Sequence, residues 1–360
     1  FAYGWKNRYF VDFNFGYNGS ENFAKGHQYG FFPAYSMAWN IAEEPFFERR
    51  AKWMDMFKVR YSYGRVGNDY LTTRFPYHSS FKTSSAYSFE FGDWGLSAGN
   101  NSFSLYDGLT YENVSSPYVT WEIAKKSDLG TDFSLFKDRI SGTFDYFHER
   151  RDGIYMTRNY LPYLIGLNSV TNKPGANTGS VTSEGFDGNL ALRQDVGNVN
   201  LTVRGNMTYS KNKINSYDEP FTHYPYLLNE GFRVNQARGL IVEGLFKDYD
   251  EIRDSPVQTF GEVAPGDIKY RDVNGDGKID SNDVVPIGAT TKPNLIYGFG
   301  MTAKWRGFDV NAHFQGAGKS TFFIQGKGVR PFAENDWGNI FTDVVGNYWA
   351  LGTNEDPNAT

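Results

Sequence analysis

The sequence predicts an all-β protein, an antiparallel transmembrane β-barrel wall of about ten strands with short periplasmic turns and long extracellular loops. Three observations predict it. First, stretches such as 139–150 and 199–211 alternate apolar and polar residues with period 2. In the second, Val199, Leu201, Val203, Met207 and Tyr209 face one way, and Asn200, Thr202, Arg204, Asn206 and Thr208 the other. Second, tight turns at Lys137-Asp138, Asp195-Val196-Gly197-Asn198 and Arg306-Gly307 take turns with connections at 67–118, 151–183 and 212–293, far longer than a compact domain uses. A soluble sheet with one wet face shows the same alternation, so the connections decide. Third, 18% of the chain is aromatic, with 25 Tyr and 31 Phe. Such rings favour a membrane–water interface over the sugar-binding surfaces in which they are also ordinary, and a transporter could use both.

Composition is compatible with this. A mean hydropathy of -0.54 and the lack of a long apolar run exclude a transmembrane helix but not a barrel, in which only every second residue meets lipid. The chain has no cysteine, which fits an exported protein. Its formal charge of -5 leaves no basic footprint for nucleic acid. No signal peptide is visible. The opening Phe1-Ala2-Tyr3-Gly4-Trp5 reads as a strand end before a Lys6-Asn7 turn, and Pro357–Thr360 is polar, so an internal piece of a longer protein is expected.

Residues 8–17 place Tyr9, Val11, Phe13, Phe15 and Tyr17 opposite Arg8, Asp12 and Asn14, and 30–41 return with Phe31, Tyr35, Met37, Trp39 and Ile41 on one side. A charged connection, Glu43–Asp55, carries Pro45 and a helical turn around Phe46–Trp53. Phe57, Val59, Tyr61 and Tyr63 then alternate with Lys58, Arg60, Ser62 and Gly64. From Tyr118 to Phe136, Thr120, Glu122, Ala124, Lys126 and Asp128 are wet and Leu129, Thr131, Phe133 and Leu135 apolar. This run is longer than a bilayer requires, so the strand should project on the loop side. Its partner is Ile140–Arg150, and hairpins 184–194 with 199–211 and 294–305 with 308–316 follow.

Several segments resemble the SusC/RagA family of TonB-dependent outer-membrane transporters. They are Tyr29-Gly30-Phe31-Phe32-Pro33-Ala34-Tyr35-Ser36, Lys58–Asn68, Trp121-Glu122-Ile123-Ala124-Lys125, Arg139–Tyr146, and Gly266-Asp267-Ile268-Lys269-Tyr270 running into an acidic loop. The resemblance implies a barrel of about 22 strands filled by an N-terminal plug, in the outer membrane of a Gram-negative bacterium. It also implies a SusD-like surface lipoprotein as lid, the TonB complex as energy source, and an oligosaccharide or peptide substrate. Plug, signal peptide and final strands are expected to lie outside this chain, which would be one part of a single barrel domain.

The sharpest local motif is Asp272-Val273-Asn274-Gly275-Asp276-Gly277-Lys278-Ile279-Asp280-Ser281-Asn282-Asp283. Asp272, Asn274, Asp276, Asp280 and Asp283 stand at calcium-loop positions 1, 3, 5, 9 and 12, with the Lys278 carbonyl at 7 and Gly277 at the sharp turn. Asp in place of Glu at position 12 makes bidentate ligation shorter in reach. The competing reading is a turn whose Asp and Asn side chains bond their own backbone. Bound calcium would be structural, pinning an extracellular loop.

Gly316-Ala317-Gly318-Lys319-Ser320-Thr321 is half a phosphate loop, but His313 stands where its first glycine belongs and no helix is predicted after it. The five histidines lack metal-ligand spacing, Glu43 and Glu44 read as solvated, and no nucleophile elbow occurs. No enzyme is predicted. Arg60, Lys126, Asp145, Arg204, Lys304 and Asp309 should line the lumen, and the loop aromatics Tyr77, Tyr87, Trp94, Tyr160, Tyr163, Tyr224 and Tyr226 could stack on sugars. The competing class is a soluble, secreted, aromatic-rich β-protein that binds polysaccharide and has a calcium-stabilised loop.

Overall fold

A computed structural model describes residues 1–48, 51–91, 104–158, 160–162, 173–325, 341–346 and 349. The strands in chain order are β1 (Ala2–Trp5), β2 (Tyr9–Gly19), β3 (Tyr29–Asn40), β4 (Met54–Asn68), β5 (Ser80–Phe91), β6 (Ser104–Asn113), β7 (Glu122–Leu135), β8 (Ile140–Thr157), β9 (Gly175–Val196), β10 (Val199–Ser216), β11 (Gln236–Gly239), β12 (Val242–Leu245), β13 (Val257–Gln258), β14 (Ile268–Tyr270), β15 (Lys278–Ile279), β16 (Val285–Thr290), β17 (Leu295–Trp305) and β18 (Phe308–Gly318). Two short helices, α1 (Pro45–Glu48) and α2 (Tyr249–Asp254), lie between strands. Among the described residues no helix is long and apolar enough to cross a membrane, which says nothing of strands.

The chain divides into two compact units. The first comprises 1–220 and 297–315, the second 221–296 and 316–360. The first is built on a ten-stranded sheet in the order β1-β2-β3-β4-β7-β8-β9-β10-β17-β18, so each strand pairs with the next spanning strand in sequence. This is the all-β barrel fragment that the alternation predicts.

Period-2 patterning gives the sheet one apolar and one polar face. In β2–β3 the register pairs Tyr9 with Trp39, Val11 with Met37, Phe13 with Tyr35 and Tyr17 with Phe31, and all eight of these side chains are exposed. Farther along, Tyr61, Leu129, Tyr146, Phe186 and Tyr209 form one row across β4, β7, β8, β9 and β10. Phe186 joins the ring of Tyr209 at 5.5 Å and that of Phe144 at 6.1 Å. A monomer in water rarely leaves so continuous an apolar face uncovered. At the short-turn end the rings of Trp5, Tyr9 and Trp39 stack at 5.7 and 6.4 Å, and Trp53 stacks on Phe136 at 5.7 Å. At the long-loop end Tyr17 stacks on Tyr29 at 5.4 Å. These are the two aromatic girdles of a membrane barrel.

The tight turns force unusual backbone. Phe136, Lys137 and Asp138 have φ of 56, 59 and 61°, and the Asp55 carboxylate accepts the amides of Lys137 and Asp138 at 2.5 and 3.2 Å. At the last hairpin Arg306 (φ 45°) is followed by Gly307 (φ 87°), a conformation a glycine adopts without steric cost.

The structure corrects the predicted strand ends. β8 runs to Thr157 and β9 starts at Gly175, so about half of the expected 151–183 loop is paired strand. The expected 67–118 loop holds the β5–β6 hairpin, and 212–293 holds three small sheets, β11–β16, β12–β14 and β13–β15. Strand β7 begins at Glu122, not Tyr118. Val119 and Trp121 pack with Phe23, Phe32 and Leu71 into a buried cluster, because the Trp121 ring meets Phe23 at 5.4 Å and Phe32 at 5.1 Å and its Nε1 donates to the Gln28 carbonyl. The helical turn expected around Phe46–Trp53 is the four-residue α1.

Candidate functional site

The polar face of the ten-stranded sheet carries the predicted lumen residues. Arg60 on β4 lies opposite Gly130 of β7, which lies opposite Asp145 of β8. Its guanidinium reaches Asp132 at 3.2 Å, Asp128 at 3.6 Å and Asp145 at 2.6 Å. Gly130 makes this possible, since a Cβ there would stand 2.0 Å from Asp145 Oδ1 and 2.8 Å from Arg60 Cζ. Asp187 pairs in register with Asp145, so the patch holds four carboxylates around one arginine. One step toward the long loops, Lys126 meets Glu149 at 3.2 Å, and Arg151 meets Glu149 at 2.9 Å and Glu122 at 3.2 Å.

Arg204 lies on the same face with Asn189, Asn206, Thr302, Asn311 and His313, around a hollow of about 480 Å³. Among the described residues it makes no ion pair. Lys304 and Asp309 approach to 3.9 Å near the last turn. A second hollow of about 530 Å³ lies against Asp12, Ser36, Lys58, Arg60 and Asp128. The sequence alone points to Arg60 and Asp145 only as separate lumen residues. The partners Asp132, Glu149 and Arg151 follow from cross-strand register, which the sequence does not print.

Glu44, read from sequence as solvated, is buried instead. It accepts Tyr9 Oη at 2.5 Å and Trp39 Nε1 at 3.1 Å, with Arg8 at 3.9 Å. The Tyr9 hydroxyl, more than any other group, holds its carboxyl below the usual glutamate range.

The second unit carries the acidic loop. Asp272 accepts the amides of Gly275 and Gly277 at 2.6 and 2.8 Å, Asn274 that of Asp276 at 3.0 Å, and Asp276 that of Lys278 at 2.9 Å. Asp280 accepts the amide of Asn282 at 2.6 Å. Asp283, fully buried, accepts the amides of Val273 and Asp280 at 2.8 and 2.9 Å, tying the start of the loop to its end. Gly277 has φ of 81° at the turn, and Lys278 opens β15, which pairs in parallel with β13. Burial first, then the charge of Asp283, pushes the nearby Tyr226 phenol up. The side-chain oxygens are thus satisfied by the loop's own amides, as in the backbone-bonding turn. Among the described residues no three acidic or histidine side chains converge as a metal cage. The donor set suits calcium in kind, but in this arrangement the oxygens are not gathered on one point.

Of the loop aromatics, Tyr224 and Tyr226 stack at 5.7 Å, Tyr77 packs on His78 at 4.3 Å, and Tyr160 is exposed. Trp94, Tyr163 and the Tyr87 side chain lie outside the described residues. The half phosphate loop is the end of β18 leading into a bridge between Ser320 and Thr290, and among the described residues no α-helix follows it.

No protein-family model matches the chain. TonB-dependent receptor P3 of Formosa agariphila is 27% identical over 327 residues, covering 87% of this chain and 30% of the relative. TonB-dependent receptor SusC of Bacteroides thetaiotaomicron is 23% identical over 324 residues, covering 86% of this chain and 29% of the relative. This chain thus spans about a third of its curated relatives' length. Among solved structures, the RagAB peptide importer in its open-open state superposes with a TM-score of 0.67 at 16% identity, over 89% of this chain and 32% of that one. The RagAB peptide transporter superposes at 0.64 and 17%, over 87% and 32%. These likenesses establish the fold, and the sequence relatives agree with it: over most of its length the chain is similar to a stretch of the SusC/RagA-like barrel of TonB-dependent receptors.

Proposed function

We propose that this chain forms part of the wall of an outer-membrane importer of a Gram-negative bacterium, energised through TonB and taking up an oligosaccharide or a peptide beneath a SusD-like surface lipoprotein. The observation that carries the reading is the sidedness of the ten-stranded sheet, apolar and aromatic on one face and charged on the other. A lipid-facing band and a wet lumen need that division. The receptor relatives and the barrel fold of the neighbours support it, and the likeness to RagAB, a peptide importer, favours the peptide arm. The lumen networks would serve as contacts for a plug and for substrate, and no bond-making step is assigned to them. A soluble polysaccharide-binding protein has no use for the outward band.

The test is membrane fractionation of the full-length parent protein with heat-modifiable gel mobility. An outer-membrane band that shifts on heating is expected, and a freely soluble protein of unchanged mobility would sink the reading. Co-purification of a surface lipoprotein from the same membranes tests the lid.

Calcium on Asp272, Asn274, Asp276, Lys278, Asp280 and Asp283 is a second proposal. It is favoured by Asp283, which is wholly buried with no basic side chain paired to it among the described residues. A buried carboxylate without a cation is costly. Binding would require the loop oxygens to turn from amides onto a shared ion.

A further inference from the structure

The outward face does not stay apolar to its end. Two residues beyond the row Tyr61, Leu129, Tyr146, Phe186 and Tyr209, the register brings Tyr63, Ser127, His148, Glu184 and Lys211 together. Two residues beyond that it brings Arg65, Lys125, Arg150, Thr182 and Lys213 into a single row across β4, β7, β8, β9 and β10. Arg65 thus pairs directly with Lys125, and Lys125 with Arg150. Like charges placed opposite one another in a sheet destabilise it, so something must offset them.

The protein offsets them only in part. Asp152 bridges Lys125 at 3.2 Å and Arg150 at 2.9 Å, and Glu184 meets Lys211 at 2.8 Å. Arg65 and Lys213 have no ion pair among the described residues, and Arg65 Nε has no hydrogen-bond partner. Five fixed cations therefore share two carboxylates on this stretch of the outer face. The strip lies four residues past the aromatic row, about 13 Å along the strand. It lies on the long-loop side of that row, where the outward side chains of β7, β8 and β10 turn from apolar to charged.

We propose that Arg65, Lys125, Arg150 and Lys213 form a strip that binds the phosphate groups of outer-leaflet lipids, anchoring the barrel at the loop side. Three features select this occupant. The strip is continuous with the lipid-facing band, it faces away from the lumen, and its excess charge is positive. Guanidinium and ammonium groups side by side suit a phosphate monoester shared between neighbours. The inference rests on the barrel reading given above.

The experiment uses the full-length parent protein in phosphatidylcholine discs, with and without added phosphatidic acid, and counts retained lipid by native mass spectrometry. Heat-modifiable mobility is measured on the same samples. Wild type should retain phosphatidic acid over diacylglycerol, and high salt should weaken the preference. Each of Arg65→Gln, Lys125→Gln, Arg150→Gln and Lys213→Gln should lower retention about fivefold. The lumen-facing control Lys126→Gln should not. Single variants that keep heat-modifiable mobility decide the matter if the fourfold variant does not fold. Equal retention by the strip variants and the control overturns the strip, as does equal retention of diacylglycerol or full competition by inorganic phosphate. If wild type has no heat-modifiable form, the barrel reading falls, and this proposal falls with it.

Discussion

Glu44 receives two donors, Tyr9 Oη and Trp39 Nε1, inside the lower aromatic girdle, at a connection outside the spanning strands. These bonds favour the carboxylate over the acid, which is why its pKa lies below the ordinary value. The sign follows. With a depressed folded pKa, the stabilisation is fully present above the unfolded value of about 4.3 and is lost as pH falls through the folded value. Glu44→Gln keeps the shape but has no charge to lose. On acidification below about pH 4.3 the wild-type barrel should lose thermal stability that Glu44→Gln does not lose. Melting midpoints of the heat-modifiable form along a pH series give the answer, and parallel profiles would show that the charge of Glu44 does not matter. Gly130 shows the reverse economy, a missing side chain that gives Arg60 and Asp145 room to meet.

At the scale of the strand, sidedness is fixed one residue at a time, because a shift of one position moves a side chain from lipid to lumen. Strand β10 carries a native arginine, Arg204, on its wet face beside Val203 on the outward face. Val203→Arg should cost about 2–4 kcal/mol, as a guanidinium near the bilayer midplane does, whereas Asn206→Arg on the wet face should cost little. Urea unfolding of the reconstituted parent protein measures both. Equal costs would mean that the two faces see the same solvent. The strands were legible in the sequence where one face meets lipid, as from Tyr9 to Tyr17, because only there does solvent impose period 2. Beyond the upper girdle both faces are wet. The run Glu149-Arg150-Arg151-Asp152 has no alternation to read, yet it continues β8 through ion pairs to Lys125, Lys126 and Glu122. Likewise Glu44 could not be placed from sequence, since its main donor, Tyr9, is 35 positions away.

For the molecule as a whole, the division into two compact units separates two kinds of stability. The first unit is held by strand pairing along ten strands, the second by short two-stranded sheets, α2 and a few buried side chains such as Phe246 and Ile279. In the second, Glu251 is held below the usual carboxyl range by the Lys247 amide and then by Lys269. The acidic loop lies wholly within this unit, so calcium there would act on the unit and leave the ten-stranded sheet unchanged. The sequence announced the ligand types and their spacing. It could not announce whether the oxygens face amides or an ion, because both use the same Asp and Asn positions. Hydrogen exchange of the full-length protein distinguishes them: added calcium should slow the amides of 272–283 and of the β13–β15 pair. Exchange in β7–β10, and heat-modifiable mobility, should not change. Asp283→Asn should abolish the slowing, since it removes the buried charge that favours the ion. If calcium leaves 272–283 unaltered, the loop is the self-bonded turn that its amides already satisfy, and its acidic side chains serve to shape it.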